Sequence, residues 1–146
     1  GISEDRLVNV DYKDRSNIKV MLADDSALIR RLLKDTLTKA GFRNLRIFDD
    51  GQQALDYLTE LKAKKGENFR EDVQLLITDI EMPRMDGLTL TRKIKEDPIL
   101  QKLPVIVFSS LITDELRHKG ESVGANAQLS KPEVEGLVKT IDNLLS

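Results

Sequence analysis

Hydrophobic residues along this 146-residue chain change period in a regular rhythm. Short apolar, often β-branched runs recur at residues 18–23, 45–48, 73–78, 104–108 and 127–129, and each predicts a strand. Between them, apolar positions spaced by three and four predict helices. Leu28, Ile29, Leu32, Leu33, Leu37 and Ala40 share one stripe of a helix over about 26–40; Asp25 or Ser26 can cap its start, and Gly41 sits where it ends. Asp50-Gly51 turns into a second helix with Ala54, Leu55, Leu58 and Leu61 facing inward. Residues 62–72 are charged and contain Gly66, which predicts fraying into an exposed loop. A short third helix over 88–96 stops before Pro98. A fourth spans 114–123, and a fifth spans 133–145 with Val134, Leu137, Val138, Ile141, Leu144 and Leu145 on one face. Residues 1–16 are polar and lack this rhythm, so they read as a tail or the end of an interdomain linker. Within them Asp11, Lys13 and Asp14 suit solvent, while Leu7, Val8 and Val10 could dock locally. The folded domain is expected over 17–146.

Five strands alternating with five helices predict an α/β domain: a doubly wound, five-stranded parallel sheet covered on both faces. Run 104–108 is apolar enough to be buried on both sides. Ligands of such sheets bind at the carboxyl ends of the strands. Those ends carry unusual chemistry here: Asp24-Asp25 after the first strand, Asp79 after the third, Ser109-Ser110 at the fourth and Lys131-Pro132 after the fifth.

Singly, most of these residues have ordinary explanations. Asp24 and Asp25 could cap a helix, Ser109-Ser110 could be turn residues, and Lys131 could be solvated. Asp79 is different, because an acid against an apolar strand is costly without compensation. Together the residues suit a phosphoryl group and a divalent cation. A carboxylate can attack phosphorus and form an acyl phosphate, so Asp79 is the candidate nucleophile. Mg²⁺ favours a few carboxylates plus water and phosphate oxygens. Asp25 and Asp79 would be direct ligands, the Glu81 backbone carbonyl a third, and Asp24 would act through water. Lys131 would place an ammonium on one phosphoryl oxygen and Ser109 a hydroxyl on another. Pro132 could follow a cis bond that aims Lys131, and Gly87 could supply a turn conformation that other residues resist. His118, the one histidine, falls in the fourth helix and is expected to be exposed; Met82 and Met85 are expected to pack the loop; Leu111-Ile112 lean toward core.

Composition removes several alternatives. Twenty-three Lys and Arg against 25 Asp and Glu give a net charge of -2, with no electrostatic case for nucleic acid or a membrane surface. No apolar run approaches a membrane span. Cysteine is absent, so disulfides and cysteine metal sites are excluded. No P-loop or glycine-rich dinucleotide turn is present. The start at Gly1 rather than Met is expected of an excised domain or a processed chain.

Asp24-Asp25, the segment from Asp79 to Gly87 with its Met-Pro-x-Met-Asp-Gly core, Ser109 and Lys131-Pro132 resemble, in order and context, the receiver domain of two-component response regulators. The resemblance covers residues 17–146 and implies a flavodoxin-like fold. It implies Asp79 as phosphoacceptor, Asp24 and Asp25 as the acidic pair, Ser109 as switch hydroxyl, Lys131 as phosphate-sensing lysine and a histidine kinase as phosphodonor in the cytoplasm. Receivers often carry an aromatic three residues before the lysine; Gln128 stands there, which argues against an aromatic-burial switch. Residues 109–115 and 124–133 look like the C-terminal receiver of CheV-type chemotaxis coupling proteins. That likeness implies an upstream CheW-like scaffold domain and a chemoreceptor-kinase array as partners. The alternatives are a receiver cut from a DNA-binding response regulator, or a phosphatase with an aspartyl intermediate, for which Glu81 occupies the usual general-acid offset.

Overall fold

A computed structural model describes residues 14–110, 112–131 and 133–146. The alternation appears as β1 (Lys19–Ala23), α1 (Ala27–Lys39), β2 (Asn44–Phe48), α2 (Gly51–Lys65), β3 (Leu75–Thr78), α3 (Gly87–Glu96), β4 (Val105–Ser109), α4 (Asp114–Ser122), β5 (Ala127–Ser130) and α5 (Val134–Leu145). The sheet order is β2-β1-β3-β4-β5 and every pairing is parallel. The doubly wound α/β expectation therefore holds.

Strand alternation sorts the core into two layers. Met21, Ala23, Leu76 and Val105 face α2 and α3, packing with Ala54, Leu58, Leu90 and Ile94. Val20, Leu22, Ile77 and Phe108 face α1 and α5, packing with Leu33, Leu37, Leu137 and Ile141. β3 and β4 are buried along their whole length, as continuous apolar runs require.

Helix starts are set by short polar side chains. Ser26, Asp50, Asp86 and Thr113 accept the amides of Ile29, Gln53, Thr89 and Leu116 at the heads of α1, α2, α3 and α4. Of the two caps considered for α1, Asp25 and Ser26, it is Ser26 that serves. Gly41 has φ 105° just beyond α1, the left-handed conformation that ends helices.

Three expectations need correction. Leu28 is 76% exposed rather than part of the α1 stripe. It lies five residues before buried Leu33, which at 3.6 residues per turn puts it about 140° round the helix. Residues 62–72 are not a frayed loop: α2 continues to Lys65, and a 3-10 turn, Gly66–Glu71, buries Phe69 completely. Arg15 falls within the expected tail, yet it is 4% exposed. Its guanidinium bonds both carboxylate oxygens of Asp142 on α5 and the Ala40 carbonyl, and lies 5.5 Å from the Phe42 ring centroid. The expectations for Leu7, Val8, Val10, Asp11, Lys13, Leu111 and a cis Pro132 lie outside the described residues.

Candidate functional site

The sheet itself aligns the candidate residues. Ala23 pairs with Thr78, Thr78 with Val107, and Ser109 with Ser130, so β1 and β3 end together and β4 and β5 run two residues further at the same sheet edge. Backbone bonds extend this alignment past the strand ends: Asp79 N–H donates to Ala23 O (2.9 Å), Asp24 N–H to Phe48 O (3.1 Å) and Lys131 N–H to Ser109 O (2.9 Å). The side chains that meet there come from positions 24, 79 and 131, far apart in sequence.

Lys131 is the bridge. Its ammonium donates to Asp24 Oδ2 at 2.7 Å and lies 3.3 Å from Asp79 Oδ2, with its side chain only 8% exposed. It is not a solvated lysine. Asp24 Oδ1 accepts the Ser26 amide (2.8 Å), and Asp79 Oδ1 accepts the Ile80 amide (2.7 Å). Arg30 donates to the Asp24 carbonyl at 2.7 Å, tying α1 to the same corner.

Carboxylate oxygens of Asp24, Asp25 and Asp79 lie within 4.8 Å of one another. Asp24 and Asp79 are buried and Asp25 is exposed. One lysine against three acids leaves excess negative charge, and the donors are all hard oxygens. The set fits a small hard dication such as Mg²⁺. Glu81 is exposed and lines the cleft beside Asp25, Asp79 and Lys131.

Burial pushes the Asp24 carboxyl above its ordinary value of 3.8, and the Asp79 charge adds to the rise; the Lys131 and Ser26 hydrogen bonds oppose it without cancelling it. The folded protein thus keeps a proton on Asp24 at a pH where the unfolded chain has released it. This group's stabilising contribution is complete below the ordinary value and is lost as pH rises through the raised one. In metal-free protein, Asp24→Asn should therefore lose less stability than wild type as pH rises from the ordinary value of 3.8 to neutrality. Urea midpoints at the two pH values check this; equal losses in both proteins would contradict it.

Ser109 is 4% exposed at the end of β4, and it is Ser110, not Ser109, that lines the cleft with Asp79 and Lys131. In sequence the pair reads as one feature, and strand alternation separates them. Gln128 is half-buried against α4: its amide donates to the Arg117 carbonyl (2.8 Å) and packs where Gly120 has no side chain. His118 is exposed on α4, while Met85 is buried in the loop below the site and Met82 packs at the core's edge. Two features had no sequence signal. Arg84 holds a left-handed φ of 66°, and it faces buried Asp50 across an ion pair of 3.2 Å.

Comparison with known proteins places this geometry in context. The profile of the response regulator receiver domain matches residues 20–142. The chain is 34% identical over 134 residues to chemotaxis protein CheV3 of Helicobacter pylori, covering 92% of this chain and 43% of that protein. It is 34% identical over 116 residues to chemotaxis protein CheY-3 of Vibrio cholerae, covering 80% of this chain and 82% of the relative. The solved structure of the response regulator CheY4 of Vibrio cholerae superposes with a TM-score of 0.69 at 29% identity, covering 87% of this chain and 98% of that one. The chain thus spans less than half the length of CheV3 and most of the CheY proteins.

Proposed function

This chain belongs to the response regulator receiver domain family, and from that premise we propose that it is a phosphorylation-controlled signalling switch using Mg²⁺ as cofactor. Asp79 accepts the phosphoryl group from a phosphohistidine of a histidine kinase. An Asp79 oxygen forms the new O–P bond as the P–N bond breaks, and the departing imidazole keeps the electron pair and takes up a proton. The chain acts as a phosphoacceptor that assists its own labelling and clearance, not as an enzyme with a free substrate.

The observation that carries the reading is Lys131, buried between Asp24 and Asp79 within 3.3 Å of each. An ammonium held there already contacts the attacking carboxylate and needs little movement to reach a phosphoryl oxygen. Asp25, Asp79 and the Glu81 carbonyl would hold Mg²⁺, with Asp24 acting through water. When bound, the ion supplies positive charge that phosphoryl transfer requires. Ser109 is proposed as the switch hydroxyl; because it is buried, it reaches the phosphoryl group only by a local shift of the β4 end.

The output is proposed to be chemotaxis coupling in the cytoplasm, through an attached CheW-like scaffold domain and a chemoreceptor-kinase array. The likeness to CheV3 over 92% of the chain supports this choice. Among the described residues no helix is long and apolar enough to cross a membrane.

Intact-mass measurement with a small phosphodonor tests the proposal. Wild type should gain a single phosphoryl group with Mg²⁺ and none with chelator. Uptake that ignores the chelator would remove the metal from the account.

A further inference from the structure

The loop from Asp79 to Asp86 is held by two close glycine approaches and one ion pair. At its end, Gly87 approaches the Asp79 carbonyl so closely that an added Cβ would lie 1.8 Å from that oxygen. At Gly51, on the head of α2, an added Cβ would lie 2.3 Å from the Met85 carbonyl oxygen. Directly before Met85 stands Arg84, with its backbone at φ 66° and its side chain 68% exposed. That conformation is uncommon for a residue with a long side chain.

The partner explains why the chain accepts it. Arg84 Nε lies 3.2 Å from Oδ2 of Asp50, which is 0% exposed. Asp50 Oδ1 is occupied by the Gln53 amide (2.8 Å), while Oδ2 has no hydrogen-bond partner. The contact is therefore an attraction of charges without hydrogen-bond alignment. Among the described residues Arg84 is the cation paired with this carboxylate. A buried carboxylate without a cation is strongly unfavourable, so Asp50 draws residue 84, and the loop with it, onto α2.

We propose that Arg84 is a positioning residue: its pairing with Asp50 holds the 79–86 loop in the shape that keeps Asp79 and Glu81 turned toward Asp24 and Asp25. The part concerning Mg²⁺ rests on the function proposed above. It makes a prediction of unusual sign. By Coulomb attraction alone, deleting a cation near an acidic site tightens binding of a dication. If Arg84 shapes the loop, deleting it weakens binding.

Two variants separate charge from other roles. Arg84→Ala keeps a Cβ, hence the same backbone penalty, and removes the guanidinium. Asp50→Asn keeps a good helix cap and removes the charge. In metal-free protein, exchange of the Gly87 amide, which donates to Ile80 O at 2.7 Å, reports loop opening. Each variant should speed it about tenfold relative to β3 amides, which report global opening, and the double variant should be no faster than either. By calorimetric titration with MgCl₂, Arg84→Ala should bind about tenfold more weakly. Unchanged Gly87 exchange, effects that multiply in the double variant, or tighter Mg²⁺ binding by Arg84→Ala would each overturn the proposal. If wild type takes up no Mg²⁺, the metal reading fails by itself and the exchange measurement alone decides the role of Arg84.

Discussion

Asp79→Asn is expected to take up no phosphoryl group under conditions that fully label wild type, while remaining folded. The amide is a poor nucleophile, and the variant removes one of three clustered acids. Its fold should survive because the change relieves repulsion instead of creating it. Lys131 keeps its shorter contact, 2.7 Å to Asp24, and so is not left as an unpaired buried cation. The carboxamide oxygen of the variant can still accept the Ile80 amide, which donates to Asp79 Oδ1 at 2.7 Å in wild type. The urea midpoint should match wild type or exceed it. This combination, chemistry lost and stability kept, separates a nucleophile from a structural acid. A variant that lost labelling because it unfolded would leave the carboxylate's role as mere packing.

Gly87→Ala should produce the opposite pattern, failing through the fold. The added methyl would meet backbone, with Asp79 O at 1.8 Å and Asp79 C at 2.8 Å, so no side-chain rotation relieves it. Moving Gly87 away would break its N–H bond to Ile80 O and disturb Thr91, whose hydroxyl donates to Gly87 O at 2.7 Å. Moving Asp79 would drag the carboxylate from Lys131. Overpacking against backbone costs about 3 kcal/mol, the upper end of its usual range. For a domain of this size that lowers Tm by about 6–12 °C. Calorimetric melting gives the shift, and intact mass should show labelling slowed in the folded fraction. A normal Tm would mean that the loop and α3 do not approach as closely as described. Gly87 matters here through proximity; its backbone is not in the left-handed region.

How much of this was legible in the sequence depended on whether a signal was local. Strand ends are local: an apolar run followed by Asp79, or by Asp24-Asp25, can be read from neighbours in the chain, and a parallel sheet then brings those ends together. The failures are long-range. Leu28 looks inward-facing because apolar residues cluster in α1, and only the packed face of the helix shows which of them lie too far round. Phe69 is lost among charges, since one aromatic in a polar segment has no periodicity, and its burial depends on a 3-10 turn folding back after α2. Arg15 looks like tail until Asp142, 127 residues away, is placed beside it. The pairing of Arg84 with Asp50 has no sequence mark, because it needs both a left-handed backbone and the docking of one loop on another helix. Ser109 and Ser110 show the limit at finest scale. The pair is visible as a strand end, but which hydroxyl faces the cleft depends on where the strand's alternation stops.

The most direct measurement is to locate the phosphoryl group chemically. Wild type would be labelled with a small phosphodonor and Mg²⁺, reduced with borohydride to convert an acyl phosphate to the alcohol, digested and mapped by mass. The account predicts that the reduced residue is Asp79, with Asp24, Asp25 and Glu81 unmodified and no signal after labelling in chelator. Reduction at another carboxylate, or a phosphoryl group that resists borohydride because it sits on Ser109, Ser110 or His118, would contradict it.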